Sequence, residues 1–220
     1  MIYLSYILDG NTPTYGNRNS FIQTKKSDMS KGDVANDTAI ETTVHIGTHI
    51  DMPYHFYENG QTIEDFEADF WMFNKPLMIE IKQDEYIVKD KLIEKLKNIK
   101  DDGFDLLIVK TGICNDRDKE KFWSHNYGFH PDIYDYIISS FPSVRVIGFD
   151  SISVSSLQDR MLGREAHKRF LNPKKPILLL EDMDLRKITE DTKFKKILVS
   201  PLRIAKCDGL PCTVFGMLDD

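Results

Sequence analysis

The chain has 220 residues, 41% hydrophobic and 29% charged, which are the proportions of a soluble globular protein and exclude a disordered, collagenous or low-complexity one. Lys and Arg number 29 against 35 Asp and Glu, a formal net charge of −6. Without a basic tract, such a surface repels phosphate backbones and excludes nucleic acid as an expected partner.

The N-terminal stretch Met1–Leu8 lacks a basic region and a small-residue cleavage site, and no apolar run nears the ~20 residues of a membrane span. The three cysteines, Cys114, Cys207 and Cys212, have neither C-x-x-C spacing nor the even count of a disulfide framework. They are read as reduced thiols in a cytoplasmic protein without a membrane partner.

In chain order, a first strand is predicted at 2–7. Residues 9–38 follow as a polar loop punctuated by Gly10, Pro13, Gly16 and Gly32, long enough to be a functional flap. A strand at 41–50 and another at 76–82 precede a helix at 90–99, whose stripe is Leu92, Ile93, Leu96 and Ile99, with Asp90 as its cap. A strand at 104–110 leads to a helix at 131–141, opened by Pro131 and striped by Ile133, Tyr134, Ile137, Ile138 and Phe141. A strand at 144–149 leads to a helix at 157–171 and a strand at 176–181. Strands at 196–199 and 212–218 close the chain. The expected fold class is α/β with a mixed sheet, as a single domain over 1–220. No simple βαβ alternation is visible over the first 80 residues.

Three of the six histidines lie within eleven residues, His45-Ile46-Gly47-Thr48-His49-Ile50-Asp51-Met52-Pro53-Tyr54-His55. The β-branched Thr42, Thr43, Val44, Ile46, Thr48 and Ile50, together with Gly47 and Pro53, favour a strand over a helix. The even spacing of His45, His49, Asp51 and His55 then projects all four to one face. Two imidazoles and a carboxylate on one face suit Zn²⁺, Mn²⁺ or Fe²⁺. The alternative is a polar, solvent-facing strand without a ligand. His55, after a Pro-Tyr turn, is either a fourth ligand or a general base. Of the other histidines, His130 reads as a helix cap and His125 as part of an aromatic loop, while His167 borders the stripe of its helix. Glu181 ends the apolar run 177–180, at the strand mouth where α/β sheets tend to place chemistry.

The pattern H-x-G-T-H-x-D-x-P-x-H over His45–His55 resembles the hallmark of the cyclase/kynurenine formamidase family of metal-dependent hydrolases. The resemblance continues through Thr12-Pro13-Thr14-Tyr15, Leu107–Gly112, Gly148-Phe149-Asp150-Ser151, Ser200–Arg203 and Asp208–Pro211, in the expected order. It implies a swivelling β/β/α domain, assembled as a homodimer or homotetramer, that hydrolyses an amide of a small-molecule substrate such as N-formylkynurenine or a cyclic amide. It also implies two divalent metal ions per chain, Zn²⁺ or Mn²⁺, on His45, His49, Asp51, His167 and Glu181, with His55 as catalytic acid and base. Tyr15 stands where such formamidases tend to carry a substrate-stacking Trp, and the His167–Glu181 interval is slightly longer than in typical members. Two other readings of the residues are an Fe(II) facial-triad oxygenase and a non-catalytic metal or small-molecule binding protein on the same fold.

Overall fold

A computed structural model describes residues 1–219. The strands are β1 (Ile2–Tyr3), β2 (Ile22–Ser27), β3 (Asp37–Glu41), β4 (His49–Asp51), β5 (Met72–Phe73), β6 (Pro76–Glu80), β7 (Ile87–Val88), β8 (Leu106–Lys110), β9 (Gly128–Phe129), β10 (Val146–Phe149), β11 (Leu178–Glu181), β12 (Phe194–Pro201) and β13 (Gly209–Leu218). The α-helices are α1 (Asp90–Lys97), α2 (Lys121–Ser124), α3 (Asp132–Ser140) and α4 (Arg160–Phe170). Among the described residues no helix is long and apolar enough to cross a membrane.

The mixed α/β architecture agrees with the sequence expectation. The main sheet runs β5-β12-β13-β4-β11-β10-β8-β6, with β1 added on β13. The β6, β8, β10 and β11 strands are parallel, and their runs Leu106–Val109, Val146–Phe149 and Leu178–Leu180 are buried throughout, as parallel strands covered on both faces require. Helices supply that cover through the stripes the sequence predicts. Leu92 and Leu96 of α1, Ile133 and Ile137 of α3, and Ala166 and Phe170 of α4 enter one continuous apolar core.

The position of β4 organises the site. It pairs antiparallel with β11 on one side and with β13 on the other, so three residues of the histidine motif lie in the middle of the sheet. In these registers Glu181 sits opposite His49, while Gly209 sits opposite Asp51.

Two expectations need correction. The strand predicted at 41–50 is two separate pieces, the end of β3 and then β4, with an irregular stretch at 42–48 between them. Gly47 breaks the extended path. It takes φ +56°, and a Cβ there would fall 2.2 Å from Leu8 Cδ2, so the segment bends where the N-terminal chain crosses it. His45, His49, Asp51 and His55 therefore do not share one strand face. Only His49 and Asp51 do, and His55 lies on a 3₁₀ turn at Pro53–His55. The second correction concerns 9–38. Its polar sequence hides β2, which forms an exposed antiparallel hairpin with β3. That hairpin buries neither face, so its residues lack the apolar alternation that marks a strand.

Candidate functional site

His49 and Asp51, at i and i+2 on β4, project to the same side of the sheet, and the direct pairing of His49 with Glu181 places that carboxylate beside them. All three are buried, at 4%, 1% and 3% exposure. After Glu181 the chain turns sharply. Asp182 takes φ +50°, its carbonyl accepts from Thr48 Oγ1 at 2.5 Å, and its carboxylate is held by the Arg117 guanidinium at 2.7–3.2 Å. Non-glycine residues reach that backbone region at a cost of about 1–2 kcal/mol, and Asp is one of the few that visit it as single residues.

The fourth member comes from α4. His167 faces Asp51 and Glu181, with Nε2 at 3.5 Å from Asp51 Oδ2 and 4.0 Å from Glu181 Oε1. Gly163 lets α4 come this close. A Cβ at that position would lie 2.1 Å from Ser155 Oγ and 2.7 Å from Ser155 Cα, so only glycine lets the helix rest on the 153–156 segment.

The hydrogen bonds of two imidazoles define their tautomers. His49 Nδ1 donates to the Gly47 carbonyl at 2.8 Å, and His167 Nδ1 donates to the Gly163 carbonyl at 2.9 Å. A carbonyl can only accept, so in each neutral ring Nε2 carries a lone pair, and both lone pairs face the Asp51 and Glu181 carboxylates. His49 Nε2 lies 3.4 Å from both Asp51 Oδ1 and Glu181 Oε2. Donor atoms around a tetrahedral ion with ligands near 2.0–2.1 Å stand about 3.3 Å apart. Asp51 Oδ2 is buried with no hydrogen-bond partner. With the rings neutral and the carboxyls ionised, these converging lone pairs and carboxylates call for a cation between them, and the imidazole N–H bonds to backbone carbonyls are the usual outer support of metal-ligating histidines. The donor set therefore fits a divalent metal on His49, Asp51, Glu181 and His167.

The carboxyl groups carry the electrostatic mark of this crowding. Burial, then the neighbouring Asp51, push the Glu181 carboxyl well above its usual range. Burial acts most strongly against the Asp51 carboxylate, but the charge of His45 and the contacts of the surrounding His167, His45 and His49 side chains together outweigh it and hold that carboxyl well below the usual range.

His45 and His55 stand at the rim. His45 donates from Nδ1 to Asp51 Oδ1 at 2.9 Å and from Nε2 to Asp208 Oδ2 at 2.8 Å. Burial opposes its charged form, yet the two flanking carboxylates push its pKa up to about 10. His45 thus differs from His49 and His167, since both its nitrogens hold protons and one must be lost before it can bind an ion. His55 donates from Nδ1 to the same Asp208 oxygen at 3.1 Å, and its ring centroid is 4.1 Å from that of His45. Those two histidines hold the Asp208 carboxyl well below its ordinary value.

A cavity of about 340 Å³ opens over this cluster, lined by all six residues of the motif analysis together with Tyr15. The structure thus brings together the seven residues the sequence assigns to the site: His45, His49, Asp51, His55, His167, Glu181 and Tyr15. His125 lies exposed outside the cavity, and His130 caps α3 by accepting from the Asp132 amide at 3.2 Å. Sequence reasoning missed three features of the site. Asp208 was visible only as part of a terminal segment, although it bridges His45 and His55. Phe56, next to His55, stacks on His167 with centroids 4.6 Å apart and planes 18° apart. Arg160 and Arg164 also line the cavity, and their i, i+4, i+7 spacing to His167 was the available signal.

Comparison with known proteins accords with this geometry. A family model described as "Putative cyclase" matches residues 2–156. Kynurenine formamidases of two Bacillus cereus strains are similar to the chain. One is 28% identical over 169 residues, covering 77% of this chain and 74% of that protein. The other is 25% identical over 210 residues, covering 96% and 93%. Among solved structures, isatin hydrolase A from Labrenzia aggregata bound to benzyl benzoate shares the fold, with a TM-score of 0.79, 17% identity, and coverage of 100% of this chain and 93% of that one.

Proposed function

The chain belongs to the cyclase family, and from that premise we propose that it is a metal-dependent hydrolase of a non-peptide amide bond, with an aryl formamide such as N-formylkynurenine, or a cyclic amide, as its small-molecule substrate. The observation that carries this reading is the pair of Nε2 atoms of His49 and His167, each with its Nδ1 engaged by a backbone carbonyl, facing the buried Asp51 and Glu181 carboxylates. Its cofactor is taken to be two divalent ions, Zn²⁺ or Mn²⁺, with His45 as a further ligand. Bound there, such ions supply a water of lowered pKa and a Lewis acid for the carbonyl oxygen.

The chain's own residues do the rest. His55, anchored through Nδ1 on Asp208, keeps Nε2 free to take a proton from the attacking water and return it to the leaving amine. Asp208 holds the ring in place by accepting from Nδ1, as an orienting carboxylate does for a catalytic histidine. Phe56 and Tyr15 offer aromatic walls for a planar substrate, and the buried Ile152 side of the cavity limits water. A facial-triad oxygenase has no use for the His55–Asp208 pair, which favours the hydrolase.

The test is metal stoichiometry by elemental analysis after stripping and retitration, followed by turnover of N-formylkynurenine and isatin. Two ions per chain with oxygen-independent hydrolysis supports the reading. Bound metal without turnover makes the chain a binding protein, and a folded protein with no tight metal refutes the proposal.

A further inference from the structure

The chain has eight arginines. Four are paired with carboxylates: Arg117 with Asp182, Arg145 with Asp105, Arg169 with Asp135 and Arg186 with Asp184. Among the described residues the other four, Arg18, Arg160, Arg164 and Arg203, have no carboxylate partner, and three of them line the candidate active-site cavity. That concentration of free guanidinium groups stands out on a protein of net charge −6.

Their placement follows from two elements. Arg160 and Arg164 lie at i and i+4 on α4, on the stripe that continues to His167 at i+7. At a rise of 1.5 Å per residue, Arg164 and Arg160 sit about 4.5 Å and 10.5 Å along the helix axis from His167, the span of one aromatic ring with its substituents. Arg18 ends the short turn that begins with Tyr15. The Tyr15 hydroxyl is buried without a hydrogen bond. Burial raises its pKa, while Arg160 and Arg18 pull it back, so both cations act on the same part of the cavity.

We infer that the cavity mouth is an anion subsite in which Arg160 and Arg164, joined by Arg18, receive a carboxylate carried by the substrate at the end remote from the scissile amide. This rests on the hydrolase reading for its substrate and deepens it: the preferred amides are acidic. Carboxylate is favoured over phosphate by the state of the α4 N-terminus. There the Asp159 side chain already accepts from the Leu162 amide at 3.0 Å and adds a negative charge, leaving planar guanidinium forks as the donors.

Binding calorimetry on the metal-loaded protein tests the subsite without relying on turnover. 4-Carbamoylbenzoate is expected to bind about 10- to 100-fold more tightly than its neutral analogue terephthalamide, the range for hydrogen bonds to a charged group. In the R160Q/R164Q variant the ratio should fall to near one, while R203Q, which changes the free arginine outside the cavity, should keep it. Equal affinities in the wild-type protein, or a preference that survives R160Q/R164Q, overturns the subsite. The same ratio is then read as kcat/KM for 4-formamidobenzoate against 4-formamidobenzamide. A charge preference in binding without hydrolysis of either amide keeps the subsite and refutes the hydrolase; hydrolysis of both at equal kcat/KM, with equal affinities, does the reverse.

Discussion

His55 Nδ1 lies 3.1 Å from Oδ2 of Asp208, a residue 153 positions later in the chain. The contact arises because β4 pairs with β13: Gly209 sits opposite Asp51, and the amide of Met52 donates to the Asp208 carbonyl at 2.9 Å. The carboxylate is thereby delivered to the start of the turn that carries His55. It turns a rim histidine into an oriented one, with a defined protonated nitrogen and a defined free one.

Replacing His55 by Ala is expected to lower kcat by about 10²- to 10⁴-fold, the usual contribution of a positioned acid–base group, with metal content per chain unchanged. Asp208→Asn should cost less, because an amide oxygen can still accept from His55 Nδ1 and keep part of the ring's orientation. Steady-state kinetics across pH with parallel elemental analysis measures both. Full activity in H55A would remove His55 from the mechanism.

Gly163→Ala should damage the site without touching it. The new Cβ meets Ser155 Oγ at 2.1 Å and Ser155 Cα at 2.7 Å, so α4 must move outward and carry His167 with it. Overpacking of this kind costs about 1–3 kcal/mol. The expected outcome is a lower melting temperature together with weaker metal retention, followed by thermal melts with and without added Zn²⁺ or Mn²⁺. An unshifted melt with full metal affinity would show that α4 does not need this close contact.

Arg117→Met should destabilise the fold by about 3–5 kcal/mol, the range for leaving one partner of a buried ion pair unmatched. Asp182 is fully buried, and Arg117 is its only guanidinium partner among the described residues. Denaturant unfolding monitored by circular dichroism measures the loss. Because Asp182 follows Glu181 directly, weaker metal binding should accompany it.

The cysteines should divide by burial. Cys114 has its thiol pKa raised by burial and then by Asp150, and Cys212 is raised by burial. The thiolate is the reactive form, so a raised pKa withholds it at neutral and mildly alkaline pH. At pH 8 the native protein should show one accessible thiol, the half-buried Cys207, and three after denaturation. A chromogenic disulfide titration counts them, and fast reaction of all three in the native state would contradict the burial.

The parts of the site that could be read along the chain are those governed by short-range geometry. His49 and Asp51 share a face because side chains alternate along any strand, wherever that strand lies. Likewise, the stripe of α4 orients His167, and the end of a buried apolar run brings Glu181 to a strand mouth. The misreadings have physical causes too. Val44, Thr43 and Ile46 have β-forming side chains, but the chain bends at Gly47 because Leu8 crosses it there, and no window around residue 47 contains residue 8. The β2–β3 hairpin escaped notice because a strand with no buried face carries no hydrophobic alternation.

The sequence by itself determined the chemistry of the donors and, through local periodicity, which of them face the same way. Tertiary structure alone decided that β4 lies between β11 and β13, hence that Glu181 faces His49 and that Asp208 joins His45 to His55. Strand order and register are set by which apolar faces bury against one another across more than a hundred residues, and that selection is a property of the assembled core.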